Sequence, residues 1–462
     1  MALDGELFAE LVGELAGVVG PAHVLSGEEV ADYGHDEALS MAAQAPAAVV
    51  RPATTAEVAA VLRVASARGV PVTARGTGTG LSGAAVPAPG GLVVSFERMA
   101  AVLEIDTANH VAVVQPGVTL AQLDEATAAH GLAYPVYPGE YGASLGGNVA
   151  TNAGGMRAVR YGVTRHQVLG LEAVLASGEV LRTGGKLVKA SSGYDLTQLI
   201  VGSEGTLALV TEATLRLYPR LPHQATVLAP FRTVDEVAAA VPTVVASGIA
   251  PLILEYIDTV TMAAMTHARD LQLGIPDEIR DGSEAYLLVM LESGNAGRLE
   301  EDVERLARHL GELGAVDAYV LPGPAARKLV DAREKAFWTA KAIGAHDIVD
   351  VVVPRAAIPE FLRRAREIAD KHGSFVAGCG HAGDGNVHLS VFQADPQIRA
   401  ALLHDLFSAG ISLGGLISGE HGIGRAKREH FHELTDPALV ELLRRVKQAF
   451  DPAGILNPGV TL

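Results

Sequence analysis

The chain has 462 residues, 49% of them hydrophobic and 19% charged, which excludes a single small module and leaves room for two or three domains. Its 36 basic and 53 acidic residues give a net charge of −17, which argues against binding nucleic acid or an anionic membrane surface. The single cysteine, Cys379, cannot form an intrachain disulfide, so we expect a reducing compartment and a packing role for this side chain.

The N-terminal segment carries acidic residues at helical spacing and lacks the basic stretch of a signal peptide, which predicts a cytoplasmic protein. The apolar window at residues 237–257 is interrupted by Pro242, Gly248 and Pro251. It therefore indicates a helix, a turn and a strand rather than a membrane span.

Between residues 49 and 219 short strands alternate with helices, beginning with a capping box at Thr54 and Glu57 and a helix that stops at Gly69. Glycine is dense in three places of this half, residues 75–83, 139–155 and 202–205. Glycine-rich turns let backbone amides approach a phosphate or a flat ring closely, so the clusters indicate an extended cofactor.

The first glycine cluster contains the letters of a dinucleotide fingerprint, from Gly78 to Gly83, in the wrong context. Residues 84–91 contain two prolines and two glycines, and they cannot form the helix that a Rossmann turn must open. We expect an amide nest around a pyrophosphate, with hydroxyl donors from Thr77, Thr79 and Ser82. The alternative is a plain glycine-rich loop.

From about residue 221 the pattern becomes strand, helix, strand, which is typical of an antiparallel sheet with helices on one face. Strands are predicted at residues 225–230, 252–256, 285–292, 316–320 and 348–353. Helices are predicted from a capping box at Thr233 and Glu236 to residue 247, and at residues 296–313, 327–343 and 359–372. The last segment, from residue 451, is punctuated by proline and glycine and should lie extended along another part of the fold.

The most informative stretch is GCGHAGDGNVH, residues 378–388. Asp384-Gly385 is a hairpin signal, and a two-residue loop there would set His381 directly opposite His388, with Cβ atoms about 5 Å apart. Two imidazoles at that spacing can bind one cation, and Glu420 in the later sequence SGEHGIG offers a third ligand. The alternative is a solvated histidine pair at a hairpin tip.

The sequences RGTGTGLSG, YPGEYGASLGGNVATNAGGMRAVRYG and SSGYDLTQLIVGSEGTLALVTEATLRLYP resemble, in order and spacing, the FAD domain of the p-cresol methylhydroxylase and vanillyl-alcohol oxidase superfamily. GHAGDGNVH, SGEHGIG and DPAGILNPG resemble its branch of glycolate oxidase flavin subunit, D-lactate dehydrogenase and D-2-hydroxyglutarate dehydrogenase. The resemblance covers nearly the whole chain. It implies an α+β fold with an FAD-binding domain at residues 1–220, an antiparallel-sheet substrate (cap) domain with the metal site at 221–425, and a C-terminal segment at 426–462 that returns to the FAD domain.

We expect FAD to be held noncovalently, since no histidine or cysteine stands out as a covalent anchor. The resemblance implies that the pyrophosphate would be held by Arg75, Gly76, Thr77, Gly78, Thr79, Gly80 and Ser82. The isoalloxazine and ribityl parts would be bordered by Pro138, Ser144, Leu145, Gly146, Gly147, Asn152, Gly154 and Gly155. The adenine side would contact Glu204, Gly205 and the chain as far as Val210, and Asn457 would return to the flavin domain.

For the catalytic half, the resemblance implies that His381, His388 and Glu420 bind one divalent metal. Zinc, manganese, iron and cobalt all suit two imidazoles and a carboxylate. A 2-hydroxy acid can chelate such an ion through its hydroxyl and one carboxylate oxygen, which lowers the pKa of the hydroxyl. His421 would then take the hydroxyl proton while the α-hydrogen leaves as hydride to the flavin.

Arg333 matches the arginine that grips the substrate carboxylate in this branch. The alternative is a charge on a helix surface beside Asp331 and Glu334. Ile348 stands where the hydroxyglutarate-specific members carry a lysine, and Phe337 stands near a hydroxyl-bearing position. Both departures favour lactate, glycolate or a longer apolar acid.

The implied reaction is oxidation of a 2-hydroxy acid, either the D enantiomer or glycolate, to the 2-oxo acid. Electrons would pass to a quinone, an electron-transfer flavoprotein, a cytochrome or oxygen, and such a partner could hold the protein at the periphery of the inner membrane. A homodimer or a helper subunit is compatible with the sequence. Two other functions stay open: a reaction like that of alkyl-dihydroxyacetonephosphate synthase, without net oxidation, and a flavin-carrying accessory subunit, which would lack the metal ligands.

Overall fold

The computed structural model describes residues 5–462, so the first four residues of the predicted FAD-binding domain lie outside the described chain. The helices of the N-terminal half are α1 (Gly5–Val19), α2 (Thr55–Arg68), α3 (Leu120–Ala128), α4 (Leu145–Thr151), α5 (Ala158–Tyr161) and α6 (Leu196–Ile200). Its strands are β1 (Val24–Leu25), β2 (Ala48–Val50), β3 (Val72–Arg75), β4 (Leu92–Ser95), β5 (Val102–Asp106), β6 (Val111–Val114), β7 (Leu132–Ala133), β8 (Val168–Val174), β9 (Val180–Gly184), β10 (Leu209–Arg216) and β11 (Tyr218–Pro219).

The strands of the N-terminal half form two main sheets. One has the order β1-β2-β4-β3, in which β2, β4 and β3 run parallel, and α1 and α2 pack on it through an aliphatic core. The other has the order β5-β6-β10-β8-β9 and is antiparallel throughout. Helix α2 begins where the Thr54 hydroxyl accepts a hydrogen bond from the Glu57 amide, and it ends at Gly69, whose φ of +62° suits glycine.

The C-terminal half contains α7 (Val234–Ala246), α8 (Thr259–Ala268), α9 (Asp277–Asp281), α10 (Ala296–Glu312), α11 (Gly323–Glu334), α12 (Ala336–Ala342), α13 (Ile358–Lys371), α14 (Pro396–Ser412), α15 (Arg428–Leu434) and α16 (Pro437–Phe450). Its strands are β12 (His223–Phe231), β13 (Ile253–Asp258), β14 (Ala285–Ser293), β15 (Tyr319–Val320), β16 (Asp347–Val352), β17 (Phe375–His381) and β18 (Asn386–Phe392). They form an antiparallel sheet in the order β15-β12-β14-β13-β17-β18-β16.

The prediction that helices cover one face of this cap sheet was wrong. Helices α7, α10, α13 and α14 pack on one face, and α8 and α11 pack on the other. The reason is that β12, β13 and β14 are apolar on both faces, as adjacent residues Val227 and Leu228 illustrate by entering opposite cores. A strand that is apolar on both faces must be covered on both.

Two predicted elements also differ in extent. The single helix expected at residues 327–343 is divided into α11 and α12 at Lys335. The strand expected at residues 316–320 is confined to Tyr319–Val320 at the sheet edge. The window at residues 237–257 forms the rest of α7, a turn and the start of β13, as predicted, and within residues 5–462 no helix meets the length and hydropathy required to cross a membrane.

The last residues of the chain lie against the first sheet of the N-terminal half. The amide of Val72 donates to the carbonyl of Ile455, and the amide of Asn457 donates to the carbonyl of Val72. Ile455 and Leu456 are buried in the core beneath β3. The tail is therefore held as an extra parallel segment beside β3.

The cap-sheet core predicts a large stability difference between two phenylalanines. Phe361 of α13 is fully buried, whereas Phe375 at the start of β17 is 50% exposed. We expect Phe361→Ala to lower the free energy of unfolding by about 3 to 5 kcal/mol through lost burial and the cavity left behind. Urea unfolding followed by tryptophan fluorescence measures this, with Phe375→Ala as the matched control at under about 1 kcal/mol. Equal losses in the two variants would contradict the assignment of this core.

Candidate active site

The cap sheet presents its chemical groups on the face that α8 and α11 cover. His381 at the end of β17 and His388 in β18 both project from this face, with ring centroids 5.0 Å apart. The predicted pairing of these residues was wrong, because His388 opposes Cys379 and His381 opposes Asn386. The turn is a short 3₁₀ segment, Ala382–Asp384, followed by Gly385, instead of a two-residue loop. The register differs by two residues, which preserves the face of each side chain.

Glu420 completes this cluster from the loop that follows α14. Its Oε1 lies 2.9 Å from Nε2 of His381 and 3.3 Å from Nε2 of His388. One carboxylate oxygen and two imidazole nitrogens thus converge on one point, and all three ligand atoms lie within 4.8 Å of one another. This donor set fits a divalent transition metal such as zinc, manganese, iron or cobalt.

Glu255 of β13 supports His381 from behind. Its Oε1 lies 2.7 Å from Nδ1 of His381, so a proton on Nδ1 leaves Nε2 free to face Glu420. The other carboxylate oxygen lies 2.5 Å from Nη2 of Arg333 in an ion pair, although the orientation does not make a hydrogen bond. Arg333 is only 5% exposed, and its Nε and Nη2 have no hydrogen-bond partner within the described chain. The alternative of a surface charge is therefore wrong for this arginine.

Asp350 of β16 is the second buried carboxylate of the cluster and is completely inaccessible to solvent. Its Oδ2 accepts hydrogen bonds from the hydroxyl of Ser418 at 2.7 Å and from the amides of Gly419, Glu420 and His421 at 3.1, 3.1 and 2.8 Å. Its Oδ1 accepts from the side-chain amide of Asn386 at 2.9 Å. One carboxylate thereby fixes the backbone that carries Glu420 and His421.

A second group of possible metal ligands consists of Asp350, His388 and His421. The hydrogen bonds to Asp350 already occupy its Oδ2, and Lys427 lies 3.5 Å from the same atom. A cation in direct contact with this carboxylate would have to displace those donors. The first group, with His381 and Glu420, is therefore the better cation site.

The electrostatics of the metal-free cluster follow from burial and from the neighbouring carboxylates. Burial opposes a charged imidazole, but Glu255 and Glu420 together raise the pKa of His381 to about 10. Burial lowers the pKa of His421 to about 4, even though Asp350 lies 3.9 Å from its Nδ1. His381 thus carries a proton at neutral pH, whereas His421 is neutral and can accept one. Burial also raises the pKa of the Cys379 thiol to about 11, which agrees with the predicted packing role.

The polar cluster and residues of α8 and α12 line one cavity, called here the cap cavity. A second cavity, with about 990 Å³ of empty space counted out to its open mouth, lies in the N-terminal half. Among the described residues, none of the backbone amides from Gly76 to Ser82 donates a hydrogen bond to another protein group. These residues line the cavity, so their amides are available to anionic oxygens. The buried Nδ2 of Asn148, which also lines it, has no partner either. Unpaired donors around a cavity of this size fit the pyrophosphate of a dinucleotide such as FAD.

The residues predicted to hold FAD lie around this cavity in different degrees. The wall of the larger cavity includes Gly76, Thr77, Gly78, Thr79, Gly80, Ser82, Pro138, Ser144, Gly147, Gly154, Glu204 and Gly205. A smaller neighbouring cavity is lined by Arg75, Gly146 and Val210, and Gly155 faces the cap cavity. Three predicted residues line none of these spaces: Leu145 lies in the core, Asn152 ends α4 in a left-handed conformation, and Asn457 is buried in the tail.

Glu204 and Asn457 act as ties between segments. Glu204 accepts hydrogen bonds from the amide of Gly424 at 3.0 and 3.1 Å and from the hydroxyl of Thr461. The side-chain amide of Asn457 donates to the carbonyls of Ala84 and Glu204 at 2.9 and 2.8 Å. These bonds join the FAD cradle, the SGEHGIG loop and the tail.

The two large cavities meet at Glu420 and His421, which line both of them. A group bound against the cap sheet and a group bound in the glycine-rich cradle would therefore approach each other at these two residues. The arrangement can hold a small anion beside Arg333, a cation at the two histidines, and a proton acceptor at His421.

The sequence contained a signal for two residues that its interpretation missed. Glu255 and Asp350 are single acids inside apolar runs of their strands, LILEYI and IVDVVV. A carboxylate in such a strand is buried, and buried carboxylates are nearly always paired. Asn386 and Lys427 complete the missed set through their contacts with Asp350.

Comparisons with known proteins match each of the two parts of the chain to a family of FAD proteins. Residues 220–461 match the family described as FAD linked oxidases, C-terminal domain, and residues 46–184 match the family described as FAD binding domain. A Mycobacterium tuberculosis protein named uncharacterized FAD-linked oxidoreductase is 60% identical over 453 residues, or 98% of this chain and 99% of the relative. D-lactate dehydrogenase of Archaeoglobus fulgidus is 41% identical over 418 residues, or 89% of this chain and 90% of the relative.

Among solved structures, p-cresol methylhydroxylase with substrate bound has a TM-score of 0.83 to this chain. The likeness covers 100% of this chain and 97% of the other at 18% identity, so it concerns the fold. It confirms the predicted α+β class with an FAD-binding domain and a C-terminal domain.

The contacts of Asp350 predict its effect on the cation site. Asp350→Asn replaces one of the two accepting carboxylate oxygens with an amide nitrogen, which donates hydrogen bonds. The backbone at residues 419–421, which donates to this carboxylate, then loses its fixed position. We expect divalent-metal affinity to fall about tenfold to a hundredfold while FAD stays bound. Metal titration and flavin absorbance measure the two, with Asp347→Asn on the same strand as control, since that carboxylate accepts instead from the neighbouring Ile348 amide. Unchanged metal affinity in Asp350→Asn would contradict this role.

Proposed function

Because this chain belongs to the FAD-linked oxidases, an oxidoreductase family, we propose that it oxidises a 2-hydroxy acid to the 2-oxo acid with the help of a divalent cation. The observation that carries the proposal is the buried guanidinium of Arg333 beside three convergent cation ligands at the mouth of the glycine-rich cavity. This guanidinium has an ion pair with Glu255, but its Nε and Nη2 have no hydrogen-bond partner within the described chain. A 2-hydroxy carboxylate can offer its carboxylate group to Arg333, and its hydroxyl and one carboxylate oxygen to the cation.

The roles of the protein groups follow from their positions. Arg333 binds the substrate carboxylate, which orients the α-carbon with respect to the cradle. His381, His388 and Glu420 hold the cation, and Glu255 keeps His381 in the tautomer that binds it. When bound, FAD accepts the α-hydrogen as hydride and the cation lowers the pKa of the substrate hydroxyl.

His421 accepts the hydroxyl proton in this proposal. Its ring lies 4.9 Å from the ring of His388 and its backbone is fixed by Asp350, so it stands next to the cation ligands without being needed as one. The hydroxyl proton moves to this imidazole as the α-hydrogen leaves, and the carbon–oxygen bond becomes a carbonyl. The electrons then pass to an acceptor such as a quinone, an electron-transfer flavoprotein or a cytochrome, which would also decide any association with a membrane.

The accessory-subunit alternative predicts fewer polar groups at this junction. A flavin-carrying accessory subunit has no use for three convergent cation ligands and a buried arginine whose Nε and Nη2 make no hydrogen bond within the described chain. A reaction without net oxidation, like that of alkyl-dihydroxyacetonephosphate synthase, predicts that a 2-hydroxy acid leaves the flavin oxidised, which the first test below decides. The 2-hydroxy-acid reaction uses every group in the cluster and is therefore preferred.

The first test is reduction of the flavin without oxygen. Mixing the purified yellow protein with D-lactate or glycolate should bleach the flavin absorbance, treatment with a chelator should prevent it, and added metal should restore it. His381→Ala should lose the metal and retain FAD, whereas His372→Ala, which removes a histidine paired with Asp405, should retain both. A yellow protein that no 2-hydroxy acid reduces in any metal state would end the proposal, and loss of FAD together with metal in His381→Ala would assign that residue a structural role.

The second test separates proton transfer from binding. His421→Asn removes the proton acceptor, so the rate constant of flavin reduction should fall about a hundredfold to ten-thousandfold while the substrate dissociation constant changes only a few-fold. Stopped-flow absorbance gives both constants, and His346→Asn, an exposed histidine at the start of β16, is the control. A variant with weakened binding and an unchanged reduction rate would place His421 in substrate binding alone.

A further inference from the structure

We propose that the substrate is a 2-hydroxy monocarboxylic acid with an apolar tail of several carbons, whose tail lies in a channel between the cap sheet and helices α8 and α12. The inference rests on the proposed function and names the substrate class that this site takes. It concerns the part of the cap cavity that the polar cluster does not use, within a cavity of about 880 Å³ of empty space counted out to its open mouth.

The floor of the channel changes character along the strands. One row of the sheet face holds Asp350, His388 and Cys379, which are paired across β16, β18 and β17. Two residues farther from the hairpin turn, the next row holds Ile348, Ser390 and Ala377. The following position on β18 is Phe392. By the rise of about 3.3 Å per residue in a strand, the face runs about 13 Å from His388 to Phe392. Its polar start binds the acid group, and the remainder, which is apolar apart from the Ser390 hydroxyl, fits an alkyl chain.

The roof of the channel is also apolar. It consists of Val260, Ala264 and Met265 from α8 and of Phe337, Ala340 and Ile343 around α12. Val260 is 43% exposed and Ile343 is 56% exposed, so these two side chains form an apolar mouth open to solvent. A tail that outgrows the channel can therefore leave through the mouth.

Apart from Arg333, the described residues that line the cavity include no lysine or arginine that could bind a second carboxylate. The nearby lysines are engaged elsewhere, since Lys335 pairs with Asp331 at 2.8 Å and Lys341 pairs with Glu37 at 2.6 Å. Two acids line the cavity: Glu420 is a proposed cation ligand, and Glu334, whose pKa burial raises to about 7, offers no positive charge to a second carboxylate. A dicarboxylic hydroxy acid would thus place its far end against apolar walls without compensation.

Chain length is the direct test. Anaerobic stopped-flow reduction of the holoenzyme should be measured with D-2-hydroxy acids of three to eight carbons and with D-2-hydroxyglutarate. The rate constant divided by the dissociation constant should rise about fourfold for each added methylene, the ratio that corresponds to burying one such group, and then level off when the tail reaches the mouth. D-2-hydroxyglutarate should fall below the monocarboxylic acid of the same length.

Adjacent alanines on α8 supply a matched pair of variants. Ala264 lines the channel, whereas Ala263 is exposed and does not. Ala264→Phe should lower the preference for 2-hydroxyoctanoate over lactate at least tenfold, and Ala263→Phe should leave that preference unchanged. If Ala264→Phe fails to fold, Ile343→Asp at the exposed mouth replaces it, since a carboxylate there should lower the preference in the same direction.

The outcomes separate this inference from the proposed function. If no 2-hydroxy acid reduces the flavin, the proposed function itself fails. If lactate reduces the flavin but the rate constant divided by the dissociation constant stays flat or falls with chain length, the function stands and the apolar channel is overturned. The same holds if this ratio is higher for D-2-hydroxyglutarate than for the monocarboxylic acids. A rising profile that Ala264→Phe or Ile343→Asp flattens establishes the channel as the tail site.

Discussion

Three buried carboxylates on the cap side of the domain junction impose the constraint on which the rest of the site depends. Glu255 and Asp350 are completely inaccessible, and Glu420 lies between two histidines. A carboxylate removed from water is tolerated only when cations and hydrogen-bond donors replace the lost hydration. Arg333 faces Glu255, Lys427 faces Asp350, and the two ring N–H groups of protonated His381 face Glu255 and Glu420. The positions of the side chains proposed to be catalytic are consequences of this pairing.

If the proposed cation binds, the charge balance of the cluster changes in favour of an anion. In the metal-free state the charges of the three carboxylates equal those of Arg333, Lys427 and protonated His381. Replacing that proton by a divalent cation leaves one excess positive charge among these groups. A substrate with one carboxylate cancels the excess, whereas a dicarboxylate would overshoot it. Electrostatics and the apolar channel therefore favour the same monocarboxylic class, although they concern different residues.

The sequence predicted which histidines share one face of the site, but it did not predict the turn between them. The motif at residues 378–388 was sufficient to bring His381 and His388 to one face, but its Asp-Gly pair did not form a two-residue loop. The turn accommodates Ala382 and Gly383 as well, because Gly383 lies against Val159 and Leu254 and the Gly385 amide returns to Ala382. Such contacts are tertiary, and no local pattern contains them. The face survived only because the register changed by an even number of residues.

The domain junction was the least predictable part of the structure, and it fixes the loop that carries Glu420 and His421. Residues 418–426 are held from both sides: Asp350 of the cap domain accepts the amides of Gly419 to His421, and Glu204 of the FAD-binding half accepts the amide of Gly424. The Ser82 hydroxyl donates to the carbonyl of His421 at 3.0 Å. Each contact joins residues far apart in sequence, so spacing along the chain carries no trace of it.

This double attachment also explains the glycines of the SGEHGIG sequence. Gly422 has a φ of +84° and Gly424 a φ of +56°, and a Cβ atom on them would overlap the Glu204 carboxylate and the Ser82 carbonyl respectively. The loop must pass this close to the FAD cradle for Glu420 to reach the histidines of the cap sheet while His421 stays at the junction of the two cavities. Side chains at these positions would push the loop away from the cradle and move the cation ligand and the proton acceptor together. The glycines are therefore required by the distance between two domains, and the chemistry at Glu420 and His421 depends on that distance being short.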